Sequence, residues 1–503
     1  MSEAIAPDDL GTLAKGGRTN IGGFALRLIA RMPFLFIAGR LYGASAVGRY
    51  ALAVVVVELA ALVATLGLKR GLALALALDS GEGEESHTVW DALILALVTA
   101  LGVAGLLVVF PQVMYPDGRI EGFDRWFALV VVAIAWSDVS LAALAYRHNV
   151  KASVTARAII EPWTISTAVL IYYYIDRQNG LTMAYMTALV AGMVASVVPM
   201  IRSYGLPYGW RPNLTRVSAM ARRNAPLAGA ETIEWGTRNV DRFILGWTFE
   251  PKIVGIYYMA QQISSLPQKL KTSFDPILGP VITSSLARDD RAAIAHQVRQ
   301  VGFWIMSAQA IIALMGSIPG AAVMGLMGPQ FVAGTAALGF LLWGEVLATQ
   351  GAVSESVLVY VARHRNLAVS VGMLLFQIAL SLALIYTMRG RGWPVNFQAA
   401  GPAVALLVSL ALISLIKAVL LRRWLRARVS AWRWSFVLAL LAGGLIGWAF
   451  TTLPRHFEWV QLVVGEPAIV AAYLFVLWRW AFKSEDRALF KKLPGGSVEP
   501  ALA

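Results

Sequence analysis

The stretch AVGRYALAVVVVELAALVATLGL (residues 46–68) determines the class of fold, because it is a long apolar run with a single carboxylate, Glu58, near its middle. About 20 apolar residues are enough to cross a hydrocarbon core of roughly 30 Å as an α-helix. Similar runs recur along nearly the whole chain of 503 residues, of which 58% are hydrophobic and 14% are charged. Because a backbone in lipid must satisfy its own hydrogen bonds, these runs predict an all-α polytopic membrane protein.

The apolar runs predict about 14 transmembrane helices and no soluble domain of any size. The predicted spans lie near residues 20–41, 46–68, 88–110, 124–146, 153–175, 181–202, 225–248, 253–284, 300–325, 331–361, 366–388, 399–421, 432–452 and 460–482. With the N-terminus inside, 27 of the 43 basic residues fall in cytoplasmic segments and 8 in external loops. Since basic residues favour the cytoplasmic side, this alternation predicts that both termini are cytoplasmic.

Composition and missing motifs exclude several classes of function. The net charge of +14 is explained by basic cytoplasmic loops, so no nucleic-acid partner is expected. The chain has no cysteine, and its histidines lack metal-ligand spacing, so no metal or other cofactor is expected. No nucleotide-binding loop or hydrolase motif is present either. The sequence therefore predicts a protein that is not an enzyme and draws on a gradient or a partner for energy.

A shift of 207 residues aligns the chain with itself and indicates an internal duplication. The segment 39–53 falls on 246–260 without a gap. The identical pairs are Gly39/Gly246, Val47/Val254, Gly48/Gly255, Tyr50/Tyr257 and Ala53/Ala260. Both copies begin on the same side of the membrane, so the repeat predicts two parallel six-helix lobes around a central cavity, an architecture of transporters. The predicted domains are an N-lobe (1–203), a cytoplasmic linker (204–224), a C-lobe (225–425) and two extra C-terminal helices with a tail (426–503).

Several basic side chains lie inside the predicted spans, where an ionised group costs about 2.5–3.5 kcal/mol at the bilayer centre. Arg31 and Arg238 occupy equivalent positions of the repeat, and each has a second arginine four residues away on the same helix face. Two guanidinium groups facing each other would repel unless an anion lay between them, and guanidinium binds phosphate through two hydrogen bonds. We therefore predict a cationic cavity for a phosphate-bearing substrate. The predicted substrate-binding residues are Arg27, Arg31, Arg238, Arg242, Lys269 and Lys271.

Acidic side chains are also expected within the spans. Glu58, Asp241 and Glu345 are the candidates for coupling or counter-ion sites. A purely structural role, in which each carboxylate pairs with a neighbouring helix, is the alternative reading.

Two segments of the chain resemble a known family. Residues 40–53, followed by Glu58 and TLGLKRG (65–71), resemble the opening of Wzx-type bacterial polysaccharide flippases, which belong to the multidrug/oligosaccharidyl-lipid/polysaccharide exporter superfamily. DRFILG (241–246) and VGIYY (254–258) are similar to the region of that family's seventh and eighth spans.

The resemblance implies alternating access, in which two lobes rock about a central cavity and carry an undecaprenyl-pyrophosphate-linked oligosaccharide outward across the bacterial inner membrane for cell-surface or exopolysaccharide synthesis. In similar lipid II flippases basic residues contact the pyrophosphate, and Arg27, Arg31 and Arg238 are the nearest matches by position. The partners implied are this lipid-linked substrate, membrane lipids and the polysaccharide polymerase machinery.

The sequence leaves three alternatives to a flippase, and one of them, a non-transporting membrane scaffold, would not be expected to hold deep unpaired charges in a central cleft. A cation-coupled multidrug or metabolite antiporter of the same superfamily would need an acidic or apolar cavity for organic cations. A glycan polymerase or ligase would need a large external loop, whereas the predicted external loops are short.

Overall fold

The computed structural model describes residues 32–78, 84–120, 123–272, 282–453, 458–483 and 486–489. All regular structure within these residues is helical, and no strand occurs among them. The all-α prediction is therefore confirmed.

The helices follow one another through short connections. They are α1 (32–42), α2 (Gly43–Ala64), α3 (Leu68–Leu78), α4 (Glu84–Val109), α5 (Val130–Tyr146), α6 (Val150–Val154), α7 (Glu161–Ile175), α8 (Gly180–Tyr204), α9 (Leu214–Thr248), α10 (Pro251–Thr272), α11 (Arg291–Ser317), α12 (Gly320–Met327), α13 (Thr335–Val361), α14 (Arg363–Gly390), α15 (Val395–Leu425), α16 (Trp434–Thr451) and α17 (Glu466–Val476). Two short π-helical segments, Thr155–Ile160 and Gln461–Gly465, lead into α7 and α17.

The number of membrane crossings follows from the lengths and polarity of these helices. Eleven helical stretches in the described residues are long and apolar enough to span a membrane, the first being Met32–Ala77. At 46 residues that stretch would extend about 69 Å, and Gly43, with φ +83°, breaks it into two spans. The helices α9 and α10 are long enough to cross a membrane, but they carry too many polar residues to be identified as spans by apolarity alone. With these two added, the described helices account for the last thirteen of the fourteen predicted spans, and α1 is the described end of the first.

The repeat-equivalent glycines Gly48 and Gly255 meet each other where α2 crosses α10. A Cβ atom on Gly48 would lie 1.7 Å from the carbonyl oxygen of Pro251, and one on Gly255 would lie 2.0 Å from that of Ala44. Only glycine permits such close approach of two helix backbones. Equivalent residues contact each other in this way when a twofold axis relates the two copies.

The side-chain contacts of the two repeats also correspond. In the N-terminal copy the rings of Phe34 and Tyr50 pack edge to face, with centroids 5.8 Å apart. A shift of 207 residues carries this pair onto Asp241 and Tyr257, whose hydroxyl donates a 2.5 Å hydrogen bond to the carboxylate. The same two helix positions are therefore joined in both copies, by an apolar contact in one and a polar contact in the other.

The C-terminal helices α16 and α17 pack against each other and against α11. The segment after α17 is held by Asp486, a fully buried carboxylate. It accepts hydrogen bonds from the Trp304 indole at 2.9 Å, the Arg433 guanidinium at 2.5 Å and the Lys483 backbone at 2.8 Å. These contacts join α11, the start of α16 and the chain beyond α17.

The connection between α8 and α9 is attached to the N-terminal half. Asp91 of α4 is buried and accepts hydrogen bonds from the Trp210 indole at 3.0 Å and the Asn213 backbone at 3.2 Å. The Asn213 side chain caps α9 by accepting from the Arg216 backbone at 3.1 Å. The helix thus begins at Leu214, within the predicted linker, and continues without interruption to Thr248.

Candidate functional site: the central cavity

A cavity of about 430 Å³ lies between the two halves of the molecule. Its walls come mainly from α2, α3, α9 and α10, with Glu345 of α13. A second cavity of about 680 Å³ extends into the N-terminal half between α2, α5, α7 and α8. The two cavities share the lining residues Tyr50, Glu58, Leu62, Lys69, Tyr185 and Trp235. They therefore form two compartments of one central space.

The two halves contact each other on both sides of this space. On the side where α2 and α10 begin, the Gly48–Gly255 crossing is continued by Gly39, whose Cβ would lie 2.4 Å from the Met327 carbonyl oxygen. On the opposite side, Arg70 of α3 pairs with two carboxylates of α9, Glu231 at 3.0 Å and Glu234 at 3.2 Å. Moving the two halves apart on either side of the cavity would separate the glycine contact or the ion pairs.

Among the predicted basic residues, Arg238 is already occupied by a carboxylate. It lines the cavity and forms an ion pair with Glu345, which joins α9 to α13. Glu345 is mostly buried. The predicted counter-ion role of Glu345 thus has a specific partner, one that a phosphate group would have to replace.

Arg242 is a cavity-lining cation with unused hydrogen-bonding capacity. Its side chain is buried, donates to the Asn239 side-chain oxygen and lies 5.6 Å from the centre of the Tyr258 ring. Its Nε has no hydrogen-bond partner, and it forms no ion pair with any residue that the structure describes. A buried, unpaired guanidinium donor is costly, so this side of the cavity favours an anionic or strongly accepting group.

Asp241 and Glu58 occupy different surroundings. Asp241 is fully buried outside the cavity lining and accepts hydrogen bonds from Tyr257 at 2.5 Å and Gln261 at 3.3 Å, which ties α9 to α10. Glu58 lines both compartments and accepts a 3.4 Å hydrogen bond from Tyr185. Of the two, Glu58 is the carboxylate placed to meet a substrate.

The other four predicted site residues have side chains outside the described part of the chain. Arg27 and Arg31 fall outside the described residues, and so does the proposed approach of Arg31 to Arg238. Lys269 and Lys271 belong to α10, but their side chains are outside the described part. In the compartment of about 430 Å³ the charged lining residues that are described balance, with Lys69, Arg70, Arg238 and Arg242 opposite Glu58, Glu231, Glu234 and Glu345. The predicted positive charge of the cavity therefore depends on Arg27, Arg31, Lys269 and Lys271.

A charged network in the N-terminal compartment was missed by sequence reasoning. Arg157 pairs with Asp138 at 2.5 Å and with Glu161 at 2.7 Å, and Lys69 lies 3.9 Å from Asp138. Lys69 directly follows one predicted span and Arg157 lies near the start of another, where basic residues are ordinary. The signal that could have found the network is the presence of Asp138 and Glu161 in apolar spans, because carboxylates at that depth need cationic partners.

The paired lobes and the polar cavity between them are the fold of solved transporters of the multidrug/oligosaccharidyl-lipid/polysaccharide exporter superfamily. A lipid II flippase, MurJ, in an inward closed conformation matches 91% of this chain and 98% of its own, with a TM-score of 0.70 at 12% identity. An inward-facing multidrug resistance transporter of the MATE family matches 85% and 96%, with a TM-score of 0.57 at 13% identity. A mutant of the Vibrio cholerae MATE transporter VcmN matches 83% and 98%, with a TM-score of 0.53 at 13% identity.

The family is identified by sequence. Residues 37–324 match the profile of the polysaccharide biosynthesis protein family. Because the match covers more than half of the chain, the protein belongs to this family, which confirms the resemblance found in the sequence. No curated protein matches the chain.

Proposed function

We propose that the protein is a flippase that moves an oligosaccharide linked to undecaprenyl pyrophosphate from the cytoplasmic to the external leaflet, without changing it chemically. Membership of a polysaccharide biosynthesis family and a fold similar to that of a lipid II flippase support this function. The proposed membrane is the bacterial inner membrane, with both termini in the cytoplasm. A polysaccharide polymerase that receives the external glycan is the proposed protein partner.

The observation that carries the proposal is the unpaired guanidinium donor of Arg242 in a cavity between two lobes. A diphosphate offers strong acceptors to such a donor, and charge-assisted hydrogen bonds to phosphate are about twice as strong as neutral ones. Arg238, 4 residues away on the same helix, becomes a second phosphate ligand once its pairing with Glu345 is exchanged. The proposed headgroup site is therefore the α9 wall of the cavity, with Arg27, Arg31, Lys269 and Lys271 as further proposed ligands.

The same space offers room for the glycan beside the headgroup. The N-terminal compartment is lined by apolar residues together with Lys69, Asp138, Arg157 and Glu161. Carboxylates and guanidinium groups form hydrogen bonds with sugar hydroxyls. We therefore place the diphosphate against α9 and the first sugars in the N-terminal compartment.

A cation-coupled antiporter is the second candidate, and one observation favours it. The described lining of the compartment of about 430 Å³ contains as many carboxylates as basic side chains, so it does not by itself exclude an organic cation. The MATE family similarity in fold is consistent with this alternative.

Depletion of the protein in its host tests the proposal against this alternative. We expect a lipid-linked oligosaccharide to accumulate in the cytoplasmic leaflet, where added glycosidases cannot reach it from outside. Arg242→Ala should fail to restore export, whereas Arg242→Lys should restore it partly, because a point charge replaces a planar fork. The control is Arg202→Ala at an exposed end of α8, which should restore export fully. Normal export of glycan in depleted cells would overturn the flippase proposal.

A further inference from the structure

Four arginines lie at the same end of two neighbouring helices, where α14 begins and α15 ends. Arg363 and Arg365 open α14, and Arg422 and Arg423 lie in the last turns of α15. The two helices are antiparallel neighbours, joined near these ends by a 3.2 Å hydrogen bond from Lys417 to Ser370. Both pairs of arginines lie about five to seven residues beyond this bond, or roughly 8–10 Å along each helix. We refer to the four residues as the arginine patch.

The arginine patch is exposed and lacks counter-ions. All four side chains are exposed, and none forms an ion pair within the described part of the chain. The acidic neighbour Glu355 is engaged instead by Lys417 at 3.0 Å and by Asn366 at 3.3 Å.

Several basic residues on the same side of the N-terminal half are neutralised by carboxylates. Arg70, Arg147, Arg157 and Arg216 each pair with one or more carboxylates. A preference for positive charge on the cytoplasmic side explains why the arginines of the patch face the cytoplasm. The arginine patch differs from these paired residues in that its four guanidinium groups have no carboxylate partner among the described residues.

An apolar surface continues from the patch along the same helix faces. Leu367 is 41% exposed and lies one turn after Arg363 on α14. On α15, Leu415 is 61% exposed, Val419 is 39% exposed, and Arg423 follows at the same spacing of four residues. Residues four apart share a helix face, so each helix presents a column with exposed apolar side chains below and guanidinium groups at the cytoplasmic end.

We propose that the arginine patch is a binding site for the headgroup of an anionic phospholipid, whose acyl chains lie against the apolar columns. Phosphate is the anion that guanidinium groups bind most specifically. Basic clusters just cytoplasmic to a membrane span attract anionic lipids. An acidic peptide or a nucleic acid would match the guanidinium groups but not the apolar columns. The site lies outside the central cavity, so its binding can be measured without transport.

Native mass spectrometry of the full-length protein, purified with added phosphatidylglycerol, tests this site. We expect Arg422→Gln/Arg423→Gln to weaken retention of phosphatidylglycerol by about 25-fold, because each arginine near a lipid surface contributes about a fivefold factor. Val419→Gln, which alters only the apolar column, should also weaken retention. Phosphatidylcholine should bind wild type and variants equally weakly.

The matched control is Arg222→Gln/Arg223→Gln on α9. These arginines are also adjacent, exposed and without an ion pair among the described residues, but Ser218 and Ala219 stand one turn before them. This variant should retain phosphatidylglycerol as wild type does. Equal loss in both double variants would show general charge attraction and overturn the proposal. Displacement of the lipid by glycerol phosphate at equal concentration would overturn the role of the apolar columns.

Discussion

The glycine crossing of α2 and α10 gives a prediction about the conformational equilibrium. Replacing Gly255 by alanine places a Cβ atom 2.0 Å from the Ala44 carbonyl oxygen and 2.8 Å from the Gly48 nitrogen. Both are backbone atoms, so the helices must move apart. Overpacking of this kind costs about 1–3 kcal/mol. Conformations that keep the crossing closed bear this cost, whereas an externally open conformation does not, so we expect a shift of about 5–150-fold toward the open one.

Spin-label distances measure this shift directly. The chain has no cysteine, so cysteines introduced at Gln112 and Arg391, in the α4–α5 and α14–α15 connections, are the only labelling sites. The Gly255→Ala variant should populate longer distances between these labels than the parent protein. The control is Gly102→Ala in α4, where no atom lies within 4 Å of the added Cβ. Identical distance distributions for Gly255→Ala and its parent would refute the reasoning, as would an equal change in the control.

Three further predictions concern transport and access. Arg238→Ala should abolish glycan export without affecting membrane insertion, and Arg238→Lys should restore it partly; full export in the alanine variant would argue against phosphate binding. Arg70→Gln should release the contact with Glu231, and because Arg70 is largely exposed the effect is about 1 kcal/mol. A cysteine at Ser265 should then react several-fold faster with a thiol reagent added from the cytoplasmic side, and an unchanged rate would contradict the role of the pair. Finally, collapsing the membrane potential with valinomycin at constant pH should reduce transport in vesicles, since one charge crossing 100 mV gains about 2.3 kcal/mol; strict dependence on an ion gradient instead would contradict this.

The spans were predictable because lipid imposes a single requirement on each of them. An apolar run of sufficient length must be helical, whatever its neighbours are. Even α9 and α10 could be predicted as spans, because the internal repeat aligns them with α1 and α2, which are more apolar. The repeat also paired Gly48 with Gly255 correctly, although their direct contact appears only in three dimensions.

The partners of the buried charges could not be derived in the same way. Arg238 and Glu345 are 107 residues apart in sequence, and several carboxylates at similar depth were equally possible partners. The ion pairs of Arg70 and Arg157 were missed for a related reason. Both arginines lie at the ends of apolar runs, where charge is ordinary, and only the folded arrangement shows which carboxylates lie within reach of them.

The unbroken course of α9 has a mechanical consequence. Its first residues are fastened to the N-terminal half through Asp91, while Arg238 near its other end pairs with α13. At 35 residues α9 is about 52 Å long. A continuous helix is stiff, so α9 transmits rotation from one half to the other, which a flexible linker would not do. Rotation of one half must therefore bend or twist this helix, and the bend is easiest near Pro226, where a backbone hydrogen bond is missing. Cutting the chain ahead of α9 would leave two halves that can still associate. Rotation of one half would then no longer be transmitted to the other through the connected chain.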